Sequence, residues 1–146
     1  MKENLRKYLG WFGVSISLIL SCLWAYWGAM ENFHEGWYSD SLWENLLMFV
    51  FQYLLMTFLF VLLAVIALRW KKLGIALHVA AAAFCFWFFS GASFMILGLM
   101  IVTPIISLGI IYYFGKPEPK KWAYRLLVAL PLIIIIAISI PQGIKV

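Results

Sequence analysis

Charge is what this chain has least of. Asp, Glu, Lys and Arg make up 12% of its 146 residues, where a soluble globular chain carries about 25%. So little charge cannot cover a water-facing surface. With 66% hydrophobic residues and a mean hydropathy of +0.99, lipid must be the solvent for most of the protein. The same figures exclude intrinsic disorder, collagen and a soluble coiled coil. Acids are scarcer than bases, six against eleven Lys and Arg, for a net charge of +5. In a soluble protein that balance would suggest nucleic acid. Here the bases sit in three short clusters between apolar runs, as topology determinants at an anionic membrane face do, and nucleic acid is excluded as a partner. Cysteine is nearly absent. Cys22 and Cys85 both lie in apolar runs without a CxxC partner or metal-ligand spacing, so a zinc site or disulfide framework is not supported and both are expected to pack as small hydrophobes.

Long apolar runs are what the chain has in abundance. The first, residues 9–30, follows Lys2, Arg6 and Lys7. A signal peptide is the competing interpretation, and Ile19-Leu20-Ser21-Cys22 resembles a lipoprotein cleavage box. The run continues through Trp27, however, reaching the ~20 residues of a span rather than the roughly 7–15 of a signal core. The second run, residues 46–68, reads as one uninterrupted span before Arg69-Trp70-Lys71-Lys72. The third, residues 73–114, is 42 residues long and as a single helix would measure about 63 Å, twice the hydrocarbon thickness. It must fold back, and Ser90-Gly91-Ala92-Ser93 is its best turn, giving spans at 73–90 and 94–114. The last span, 123–140, follows Lys116-Pro117-Glu118-Pro119-Lys120-Lys121. Five spans with a cytoplasmic N-terminus put ten of the eleven Lys and Arg residues inside, leaving only Lys145 outside. The C-terminus then lies outside, as does the loop 31–45 with four of the six acids.

Within the first span, Gly10, Gly13, Ser17, Ser21, Trp24 and Gly28 form one mostly small stripe that lets a neighbouring helix approach. Gly74, His78, Ala81, Ala82 and Cys85 form a second. Pro104 and Pro131 each remove a backbone bond and predict kinks, with Thr103 or Ser107 available to satisfy the groups freed by Pro104. Tyr8, Trp11, Trp70, Tyr112, Tyr113, Trp122 and Tyr124 on one side, and Trp24, Tyr26, Trp27, Trp37, Tyr38 and Trp43 on the other, are expected interfacial anchors.

The outer loop holds most of the available chemistry. Ser41-Leu42-Trp43-Glu44 is a capping box, so Glu44 is expected to be structural. If the first helix continues, Glu31, His34, Glu35 and Tyr38 share one face. Glu31, His34 and Glu35 are the candidate ligands for a divalent cation. With Trp37, Tyr38 and Gln52 they form the candidate ligand surface. The competing assignment is an acidic interfacial loop with aromatic anchors. Glu31-Asn32-Phe33-His34 has the spacing used in di-iron bundles, but the second such motif and the further carboxylates are missing. His78, about six residues into the third span, is an intramembrane polar group, read as a hydrogen-bonded packing residue rather than a proton relay. Arg125 snorkels. The spans hold no mid-membrane acid, which argues against a proton-coupled pump. No catalytic constellation and no resident cofactor are apparent.

The stretch Glu31-Asn32-Phe33-His34-Glu35-Gly36-Trp37-Tyr38, with Ser41-Leu42-Trp43 and Gln52-Tyr53, resembles a family of uncharacterised bacterial multi-pass membrane proteins. So does Pro117-Glu118-Pro119-Lys120-Lys121-Trp122-Ala123-Tyr124-Arg125-Leu126. The resemblance covers most of the chain and carries no known reaction. Some members continue past the last span into an exported domain resembling formylglycine-generating enzymes, which has no counterpart within these 146 residues. The resemblance implies a bacterial cytoplasmic membrane and an outer C-terminus, in agreement with the charge count.

The expected protein is therefore all-α, a single five-span membrane bundle over residues 1–146. Its expected role is non-enzymatic: an anchor, sensor input or partner subunit whose acidic-aromatic loop meets a ligand, a cation or a protein. The alternative is a small transporter or channel protomer acting as an oligomer, and a membrane-embedded enzyme stands third. The expected partners are the bilayer, a second copy of the chain, or a membrane or extracytoplasmic protein.

Overall fold

The structure, a computed structural model, describes residues 2–34, 38–88, 98 and 102–143. The elements are α1 (Glu3–His34), α2 (Leu42–Met48), a π-helical turn (Phe49–Tyr53), α3 (Leu55–Arg69), α4 (Lys71–Phe88), α5 (Thr103–Phe114) and α6 (Lys120–Gly143). Among the described residues there is no strand. Among the described residues three helices, Glu3–His34, Lys71–Phe88 and Lys120–Gln142, are long and apolar enough to cross a membrane, and a fourth is added if α2 through α3 is one bent span. The helix α5 is apolar but only 12 residues long, and the expected turn at Ser90–Ser93 lies outside the described residues.

Side-chain size sorts by direction as lipid demands. Fully covered positions are mostly small, including Ala25, Ala29, Ala64, Ala67, Ala82, Ala123 and Ser21, whereas Ile19, Leu23, Trp27, Ile133 and Ile136 are more than half exposed. A water-soluble fold hides its large apolar side chains; helices in lipid bring small ones together and leave the large ones outside.

Two compact units divide the chain, Met1–Ser15 with Leu63–Ala123, and Ile16–Leu62 with Tyr124–Val146. In the first, α3 and α4 are joined through Trp70 alone, and the turn closes because Gly74 lies against the backbone of Ala67 with no room for a side chain. The helices α4 and α5 run antiparallel. Lys71 lies at the C-terminal end of α5, donating from Nζ to the carbonyls of Tyr113 at 3.0 Å and Gly115 at 2.6 Å, and Gly109 abuts His78 further along. A cation there satisfies orphan carbonyls and complements the helix dipole. The fold-back required by the length of the third apolar run is thus present. Pro104 falls in the first turn of α5, directly after the π-helical Val102, where its missing N–H is tolerated. The Thr103 hydroxyl donates to the Gly98 carbonyl at 2.7 Å.

The start of α1 packs in the same unit. A Cβ on Gly10 would collide with Pro117 and Lys116, and one on Gly13 would lie 2.9 Å from the Ile111 side chain. Tyr112 uses that space, donating its hydroxyl to the Gly13 carbonyl at 3.1 Å. Two expected interfacial anchors are therefore internal ties instead. Tyr112 is buried, and the Trp11 indole donates to the Glu118 carbonyl at 3.0 Å.

In the second unit the expected single span at residues 46–68 is broken. The Leu54 N–H bonds to the Phe49 carbonyl at 3.0 Å, five residues back, and the two halves meet at 58°. Gly28 of α1 sits directly against the Tyr53 carbonyl at this break. Ala25, Leu54 and Ile135 form the core beside it, with Phe49 and Ile134 packed on them. Ala25, fully covered, takes the place on the α1 stripe expected for Trp24, which is 37% exposed. Pro131 lies inside α6 without ending it.

Removing the Tyr112 hydroxyl tests the α1–α5 tie. Tyr112→Phe should cost about 0.5–1.5 kcal/mol in detergent unfolding, since it leaves the Gly13 carbonyl without that donor. A wild-type melting curve would mean that the bond does not form.

Candidate functional site

Four of the six residues of the expected outer surface lie among the described residues. The helix α1 continues to His34, so Glu31 and His34 stand one turn apart on the same face. Glu31 is half-buried and His34 exposed. Tyr38 has left the helix and is 75% exposed, so the four-residue face expected to include it does not form. Glu35 and Trp37 lie outside the described residues. Gln52 is exposed within the π-helical turn. Phe33, between Glu31 and His34, packs edge-on against Phe49 with ring centroids 6.0 Å apart, which ties this part of α1 to the start of the π-helical turn. Among the described residues no group of three His, Cys, Asp or Glu side chains stands ready to hold a metal.

The loop is closed by a residue whose role the sequence did not disclose. Asn45, nearly buried, accepts from the Ser39 N–H through Oδ1 at 3.0 Å and donates from Nδ2 to the Ser39 carbonyl at 2.6 Å. The Ser39 hydroxyl in turn accepts from the Ser41 N–H at 3.1 Å. Ser41 does occupy the N-cap position of α2, with extended backbone angles, but makes no side-chain capping bond, and Glu44 is exposed. The capping box is thus overturned. The Asn45 carboxamide forms a two-bond ring with Ser39 that anchors the loop ahead of α2, and the Ser39 hydroxyl is engaged at Ser41.

His78 is buried, as expected for a packing residue. Its Nδ1 lies 2.8 Å from the Gly74 carbonyl, which can only accept, so the proton is on Nδ1. The ring stands 6.1 Å from that of Tyr112, and Gly74 and Ala82 share its buried face. Serine does the same in α1, where the Ser21 hydroxyl donates to the Ser17 carbonyl at 2.7 Å.

A second concentration of polar groups gathers around the connector before α6. Glu118 receives Lys116 at 2.6 Å and Lys7 at 3.1 Å, while Lys7 also reaches Glu3 at 3.6 Å. The Lys116 N–H bonds to the Arg6 carbonyl at 2.8 Å. Hydrogen bonds from Lys116 and then Lys7 hold the Glu118 carboxyl below the usual carboxylate range. Read only as topology determinants in the sequence, these bases turn out to knit α1 to the connector.

A family model described as a domain of unknown function, DUF7670, matches residues 1–121, and the chain belongs to that family. No curated protein and no solved structure matches it.

Two measurements check these local arrangements. Asn45→Leu should lower stability by about 1–3 kcal/mol, because the Ser39 amide and carbonyl lose their partners. Glu44→Ala should stay within about 0.5 kcal/mol of wild type, and equal losses would restore the capping box. Because the folded-state value of Glu118 is depressed, its contribution is present above the ordinary carboxylate range and is lost as pH falls through the lowered value. Glu118→Gln should therefore flatten the acid side of a stability profile taken between about pH 3 and 7.

Proposed function

We propose that the chain is a non-enzymatic integral membrane module of a bacterial cytoplasmic membrane: an anchor, sensor input or partner subunit. It crosses the membrane five times, with the N-terminus inside and the C-terminus outside. The loop at 31–45 meets an extracytoplasmic ligand, cation or protein, with Glu31, His34, Glu35, Trp37, Tyr38 and Gln52 as the contact residues. The observation that carries this reading is where the polar side chains inside the helices are spent. Ser21 and His78 are bonded to carbonyls of their own helices and Tyr112 to a carbonyl of α1, which leaves these groups less available to solute or proton.

A second reading, a small transporter or channel protomer acting as an oligomer, has one observation in its favour. Transporter sites are commonly built at broken helices. The break at Leu54 follows exposed Gln52, and three residues beyond it the buried Thr57 hydroxyl has no hydrogen-bond partner among the described residues.

Three experiments separate these readings. Cysteines placed at Ser39 and Val146 should label from outside intact cells, and cysteines at Lys71 or Pro119 should not. Labelling of Val146 only from the cytoplasm would remove one crossing. Proteoliposomes should leak ions and small polar solutes no faster than protein-free vesicles. A flux that disappears in Gln52→Ala or Thr57→Val would move the assignment to the transporter. For the cation form of the outer site, zinc or manganese titrated into purified protein should bind less tightly to His34→Ala than to Glu44→Ala. Equal modest losses would mean diffuse attraction to an acidic loop.

A further inference from the structure

Five of the nine bases of the first unit fall into two groups. Lys7 and Lys116 are engaged by Glu3 and Glu118. Arg6, Lys71 and Lys72 have no carboxylate within ion-pair distance among the described residues, and they line one open cleft of about 470 Å³ together with Tyr113 and Phe114. Three positive charges in a cleft whose lining includes no acid are expected to repel one another, so an arrangement that holds them there is informative. Lys71 is fixed by its two bonds to the Tyr113 and Gly115 carbonyls, which leave its third ammonium hydrogen uncommitted. The backbone at Arg6 is fixed by the bond its carbonyl accepts from Lys116. Lys72 lies in the first turn of α4, at the helix end where the dipole also favours an anion.

The remaining lining is aromatic. Tyr113 and Phe114 meet edge to face at 5.1 Å, and both are more than a third exposed. Cations beside an exposed apolar wall fit an amphipathic anion better than a bare ion. An Arg fork with two ammonium groups suits the oxygens of a phosphate.

We propose that this cleft is a phosphate site, taking the phosphate of an anionic phospholipid headgroup or the same group on a soluble phosphate compound. In the lipid case the phosphate sits among Arg6, Lys71 and Lys72, and the acyl chains leave along Tyr113 and Phe114. The lipid case rests on the membrane reading above; the soluble case does not.

Native mass spectrometry of the detergent-purified full chain tests the site, with phosphatidylglycerol, phosphatidylcholine and inorganic phosphate as probes. Wild type should retain phosphatidylglycerol about tenfold better than phosphatidylcholine, and the double variant Arg6→Gln/Lys72→Gln should lose that preference. The variant leaves the Lys71 carbonyl bonds in place, and its melting curve reports whether it folds. A charge-matched control, Lys2→Gln/Lys121→Gln, lies outside the cleft and should keep the preference. Inorganic phosphate binding that needs Arg6 and Lys72, without lipid retention, would support the soluble source. Equal lipid preference in both double variants, or no phosphate or lipid selectivity in wild type, would overturn the site. Failure of the labelling pattern would sink the topology and leave this comparison intact.

Discussion

Helices surrounded by lipid gain little by hiding apolar surface from one another, so their association depends on how closely their backbones approach. In this chain the approach is set by glycine. Gly10 lies against Pro117 and Gly115, Gly13 against Ile111 and Tyr112, Gly28 against the Tyr53 carbonyl, and Gly74 against Ala67. Each position is within contact distance of a neighbouring segment only because it has no side chain. The remaining ties follow from that closeness. Tyr112 reaches the Gly13 carbonyl, and the Lys116 amide reaches the carbonyl of Arg6.

Backbone carbonyls account for how many of the polar groups are used. A carbonyl exposed to hydrocarbon costs several kcal/mol, on the order of a lost hydrogen bond or more, so a polar side chain that can reach one is drawn to it. Lys71 at the end of α5 is an instance between helices, and His78 on Gly74 and Ser21 on Ser17 are instances within one helix. Polar groups with capacity to spare sit at the ends of helices: Glu31 and His34 on the last turns of α1, and Arg6 with Lys72 in the cleft beside α5. That distribution supports the proposal of recognition at the membrane surfaces.

Much of the framework was legible from the residues. Length alone required the third apolar run to fold back, and α4 and α5 do lie antiparallel. The α1 stripe held at Gly10, Gly13, Ser17, Ser21 and Gly28, and failed at Trp24 because helical spacing admits Ala25 equally well and only the smaller residue fits a close contact. The break at Leu54 left no local mark. Residues 46–68 contain neither proline nor glycine, and the nearest glycine at the break is Gly28, on another helix. Asn45 was hidden for a similar reason. Ser41 and Glu44 have the spacing of a capping box, but the carboxamide one residue further on reaches Ser39 first. The clefts and ion pairs around Glu118 were legible only as charge, since pairing depends on which bases the fold brings to the few acids.

The claim that glycine closeness holds the chain together is tested most directly at Gly10. A methyl group there would fall on the Pro117 ring and the Lys116 carbonyl carbon, both parts of a connector held by Trp11, Lys7 and Arg6. Thermal unfolding of Gly10→Ala in detergent should show a loss of about 1–3 kcal/mol, despite the higher helix propensity of alanine. A melting temperature equal to or above wild type would contradict the account, because a helix freed of that contact gains from the substitution.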